Sequence, residues 1–75
     1  MSDKLPAITS KKLIRALERG GWQLDRVRGS HYVLIHPGRR RPVTVPMHNK
    51  DLKTGTLNGI LKEADISRDE LRELL

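Results

Sequence analysis

The chain contains no cysteine and no phenylalanine, and its aromatic content is one tryptophan and one tyrosine. Without cysteine there is no disulfide staple and no thiolate metal site. With only Trp22 and Tyr32, a sheet that reads single-stranded nucleic acid by stacking several bases on aromatic rings is disfavoured. No apolar run is long enough to span a bilayer, and Met1-Ser2-Asp3-Lys4 lacks the apolar stretch of a signal peptide, so a soluble cytoplasmic protein with no membrane partner is expected. There is no Walker A sequence and no Gly-x-Ser-x-Gly elbow. At 75 residues the chain is read as one domain, 1–75, with a modest core.

Acidic charge is scarce where it would matter. Fifteen Lys and Arg against nine Asp and Glu give +6, and the excess is concentrated. Residues 11–50 hold ten bases and two acids, a net of +8, whereas residues 51–75 hold four bases and six acids, a net of −2. A basic front of this kind favours a polyanion, most simply nucleic acid. No helix combines a basic face with large aromatic anchors, which argues against a membrane surface.

Hydrophobic periodicity divides the chain into helix, three strands, helix and short helix. Leu13, Ile14 and Leu17 form one helical stripe after Ser10, read as the N-cap, and Gly20-Gly21 stops the helix. Ile8 is placed to pack back on it. Trp22 to Arg28, His31 to His36 and Pro42 to Pro46 read as strands, with turns at Gly29-Ser30 and at Pro37-Gly38-Arg39-Arg40-Arg41. Prolines at both ends suit an edge position for the third strand. Met47 to Lys53 reads as an irregular connector. Leu57, Ile60, Leu61 and Ala64 mark the second helix, with Thr54 or Thr56 as its cap, and Ser67-Arg68-Asp69-Glu70 is a capping box that opens a third. The expected fold is α+β: a three-stranded antiparallel sheet with helices on one face, in the order α-β-β-β-α plus a short C-terminal helix, which is the order of the double-stranded-RNA-binding fold.

Three histidines bear on chemistry: His31, His36 and His48. None lies at helical metal-ligand spacing to another, and His31 and His36 should face opposite sides of a strand, so no metal site and no cofactor is expected. Ser30 is a turn residue rather than a nucleophile. RNA, however, carries its own nucleophile in the 2′-hydroxyl. An enzyme then has only to move protons and stabilise charge on phosphorus. A histidine can do the first near neutrality and arginines the second. On this reading His31 is the general base or acid, while Arg26, Arg28 and Lys50 position phosphate. Arg39, Arg40 and Arg41 are either backbone-phosphate contacts or a solubilising loop tip. His48 reads as a solvated loop residue that would approach His31 only if the third strand lies beside the second. His36 reads as a turn residue and Trp22 as core. A histidine that merely hydrogen-bonds in a turn has the same spacing as His31, and a non-catalytic RNA-binding module would have the same charge.

Several segments, in order, resemble one family. These are Ser10-Lys11-Lys12-Leu13-Ile14 followed by Gly20-Gly21-Trp22; Arg28-Gly29-Ser30-His31-Tyr32; Val45-Pro46-Met47-His48; and Gly55-Thr56-Leu57-Asn58-Gly59-Ile60-Leu61-Lys62. They are similar to those of the HicA, or YcfA-like, toxins of bacterial and archaeal HicA–HicB toxin–antitoxin systems. The resemblance implies a double-stranded-RNA-binding-like fold and a translation-independent mRNA interferase, that is, an endoribonuclease. It also implies that the Gly-Ser-His histidine, here His31, is catalytic, and that a HicB-like antitoxin covers the site. The free toxin is expected to be a monomer.

Overall fold

The computed structural model describes residues 7–48 and 50–75. The elements are α1 (Ser10–Arg19), β1 (Gln23–Arg28), β2 (His31–Ile35), β3 (Val43–Pro46), α2 (Thr54–Ala64) and α3 (Arg68–Leu74). The strands form one antiparallel sheet in the order β1-β2-β3, so β1 and β3 are both edges. This is the expected α+β architecture and is compatible with the double-stranded-RNA-binding class.

The helices cover one face of the sheet. Leu34 with its cross-strand partner Val43, and Val45 beside Tyr32, supply that face. They pack in one core with Leu13, Ala16 and Leu17 of α1, Leu57, Ile60, Leu61 and Ala64 of α2, and Leu71 of α3. Trp22 is 3 % exposed and Ile8 2 %, so both belong to this core, as the sequence predicts. Among the described residues no helix is long and apolar enough to cross a membrane.

The helix ends follow local chemistry, with two corrections. Ser10 is not the N-cap of α1; Thr9 is, and its side chain accepts from the Lys12 amide. Ser10 is instead completely buried. Neither Thr54 nor Thr56 caps α2; its N-cap is Lys53, with no side-chain hydrogen bond. The end of α1 is a Schellman-type closure: Trp22 N–H donates to the Leu17 carbonyl and Gly21 N–H to that of Glu18. Gly21 takes the left-handed conformation this needs, with φ +98°. Ser67 and Glu70 form the expected capping box at α3.

Candidate active site

His31 opens β2 immediately after the two-residue loop Gly29-Ser30. Gly29 has φ +60° and Ser30 does not have a positive φ, the pattern of a type II′ hairpin turn. This turn fixes Arg28 directly opposite His31. Directly opposed residues carry Cβ atoms about 5 Å apart, so Arg28 is the β1 side chain beside the imidazole, as Pro46 is on β3.

Alternation along β2 sends Tyr32 and Leu34 to the helices, and His31, Val33 and Ile35 to the open face of the sheet. β1 would not match this pattern if it were regular. Its register runs Leu24 to Leu34 and then Arg26 to Val33, so Asp25 is an extra residue in a β-bulge. Leu24 and Val27 therefore share the helix side, while Arg26 and Arg28 both share the open face with His31. Counted back from the turn, Arg26 falls opposite Val33 with or without the bulge; without it Leu24 would lie opposite Ile35 and point to the open face.

Arg26, Arg28, His31, Val33, Pro42 and Thr44 line a shallow depression of about 260 Å³ on the open face. Val33 is only 4 % exposed although it lies outside the main core, flanked by its register partners Arg26 and Thr44. An apolar floor with cations and a hydroxyl on its walls suits a phosphate and part of its sugar. The depression is too small for an enclosed drug-sized ligand. The Arg26 guanidinium donates to the Asp25 carboxylate at 2.6 Å, with both side chains partly exposed. Pairs of this kind contribute about 0–1 kcal/mol, so a phosphate can take over the guanidinium.

The remaining candidates lie elsewhere. His48 and Lys50 line a separate depression of about 570 Å³ with Asp51, Leu52, Lys53 and Thr56. β3 does lie beside β2, the condition for His48 to approach His31, yet His48 lines this second depression and is not among the residues lining that of His31. Arg39, Arg40 and Arg41 follow the opposite end of β2. Ile35 lies four residue steps along the strand from His31, about 13 Å, so the triple arginine is not gathered around His31. Arg39 is also paired with Asp65 at 3.3 Å.

His36 is a structural turn residue. Its Nδ1 accepts from the Gly38 amide at 2.8 Å, which leaves Nε2–H to donate to the Gly20 carbonyl at 3.1 Å. Its ring packs on Trp22 with centroids 5.2 Å apart. Among the described residues no group of His, Asp or Glu is arranged to hold a metal ion.

Three contributors escape the sequence reading. The Asp25 bulge leaves one trace, the break in alternation between Leu24 and Val27. Thr44 is legible as the exposed residue of a short edge strand but carries no motif. Ser10 reads from sequence only as a cap. Its hydroxyl donates to the Pro46 carbonyl at 2.6 Å and accepts from the His48 amide at 3.2 Å. Pro46 is the register partner of His31, and the Met47 amide donates to the Ser30 carbonyl at 2.7 Å. Ser10 thus ties α1 to the strand end that flanks the histidine.

Residues 10–66 match the family model described as the HicA toxin of bacterial toxin–antitoxin. Comparison with curated proteins gives no match.

Proposed function

The chain belongs to the HicA toxin family of bacterial toxin–antitoxin systems, and from that premise we propose that it is an endoribonuclease that cleaves mRNA at His31 without a metal ion. The observation that carries this reading is the convergence of His31, Arg26 and Arg28 on one depression of the open sheet face.

In this mechanism the RNA lies across the open face with the scissile phosphate between the two guanidiniums. His31 serves one of the two proton transfers, as general base to the 2′-hydroxyl or general acid to the 5′-oxygen, and water exchanges the other proton. The 2′-oxygen loses its proton and attacks phosphorus, the P–O5′ bond breaks, and the leaving 5′-oxygen gains a proton. The products are a 2′,3′-cyclic phosphate and a 5′-hydroxyl. Arg26 and Arg28 neutralise the charge that builds on the non-bridging oxygens, where charge-assisted and bidentate contacts are strongest. Among the residues lining the depression, His31 is the only one of a type that exchanges protons near neutrality.

Two measurements test the chemistry. The upstream fragment should carry a 2′,3′-cyclic phosphate, seen by mass spectrometry. Replacing the 2′-hydroxyl at the cleavage point with hydrogen should stop cleavage while leaving binding nearly unchanged. Continued scission of the deoxy-substituted RNA would exclude 2′-hydroxyl attack. A non-catalytic RNA-binding module would bind RNA in a salt-sensitive way with no scission at all.

A further inference from the structure

β1 is an edge strand in which every residue is exposed. Leu24 and Val27 are 46 % and 49 % exposed, two of the four large apolar side chains left open among the described residues. Val27 lies on the helix side by alternation from the hairpin turn and the Asp25 bulge brings Leu24 to the same side, where the helices leave both uncovered, while Arg26 and Arg28 lie on the other side. The strand therefore shows apolar anchors on one face, cations on the other, and an unpaired backbone edge between them. Only a chain running alongside the edge touches all three.

We propose that the free edge of β1 is a docking edge for an extended acidic protein segment, which adds beside Arg26–Arg28 as a fourth strand. Charge decides the occupant. A second copy of this chain paired edge to edge would bring Arg26 and Arg28 against the same cations of its twin, and each copy carries +6. RNA would satisfy the arginines but has no aliphatic groups for Leu24 and Val27 and no strand amides to pair. A protein strand satisfies both faces, because its side chains alternate: acidic residues meet the arginines and apolar residues meet Leu24 and Val27. Family membership supplies a partner of the right kind, a cognate antitoxin.

The bulge interrupts regular pairing at Asp25, so the ladder is short and most of the affinity comes from the side-chain anchors. The segment occupies the same guanidiniums that the proposed RNA contact uses. It therefore inhibits by competition for Arg26 and Arg28, a consequence that rests on the endoribonuclease reading; the docking edge itself does not.

The test uses the full chain and its purified cognate antitoxin. Leu24→Thr with Val27→Thr removes the apolar anchors while keeping charge and strand propensity, and touches nothing in the proposed RNA site. Calorimetry should show antitoxin binding weakened at least about tenfold, equivalent to about 1.4 kcal/mol, with RNA cleavage by the free protein unchanged. Hydrogen exchange on the unmodified complex should show slowed amides at residues 25–28, a readout that does not depend on how the variant folds. Undiminished affinity, or no added protection at residues 25–28, overturns the docking edge. Protection there by RNA but not by antitoxin overturns it too and assigns the edge to RNA. Because both readouts measure binding, they stand whether or not the protein cleaves RNA.

Discussion

At the scale of single residues, the side chains that hold the site are not all the ones that do its chemistry. Ser10 is fully buried and joins the Pro46 carbonyl and the His48 amide. Ser10→Ala leaves both groups without that partner, and the cost of such a change is about 1–3 kcal/mol. Denaturant unfolding should show this drop, and an unchanged midpoint would mean that water replaces the hydroxyl. Gly21 is constrained twice. Its φ is +98°, and a Cβ there would lie 2.8 Å from Nε2 of His36. Gly21→Ala should therefore cost more than about 1 kcal/mol, through backbone strain and displacement of His36 from the Gly20 carbonyl. Full retention of the thermal midpoint would contradict this. The glycine is legible by type as a helix stop, whereas the serine's role is not. Ser10 stands where a cap would stand, and only the approach of a residue 36 positions away gives it another task.

At the scale of elements, the informative feature is the bulge in β1. The helices and strands are legible from periodicity, because apolar spacing fixes which face each element buries. The Gly29-Ser30 turn is legible because glycine supplies the positive φ that a tight hairpin requires. The shared face of Arg26 and Arg28 follows by alternation from that turn, but the face of Leu24 is not legible, since it depends on a one-residue change of register at Asp25. The same limit applies to His48. Its place after β3 is readable, but which depression it lines depends on how the connector is pinned, by Ser10 at His48 and by the Ile8 carbonyl at Leu52. A variant that exchanges neighbours, Arg26→Val with Val27→Arg, tests face against charge. Composition and net charge stay the same while one guanidinium moves to the helix side. RNA affinity should fall about tenfold, equivalent to about 1.4 kcal/mol. Equal affinity would show that charge density alone governs binding.

At the scale of the whole molecule, the charge asymmetry read from the sequence becomes a division of labour. Residues 11–50 supply the sheet, the arginines and His31, while the acidic remainder supplies α2 and α3 and packs behind them. The basic excess is not one continuous site. Arg39–Arg41 lie beyond the far end of β2, and one of them is paired to Asp65. Binding to single-stranded RNA should weaken with salt, and removing one phosphate-binding cation should reduce the slope of log K against log salt by about 0.7. Arg28→Ala should show that reduction, whereas Arg40→Ala should leave the rate of cleavage of bound RNA unchanged. The reverse order would move the site to the hairpin tip.

The claim on which the rest depends is that His31 performs the reaction rather than shaping the turn. His31 is exposed at the start of β2, so its removal should not disturb the core. The direct measurement is RNA cleavage in excess chelator by the purified protein and by His31→Ala, with the fold of each checked by circular dichroism. Cleavage by the unmodified protein and none by a folded His31→Ala is the expected result. Equal cleavage by both, or none by either, would contradict it.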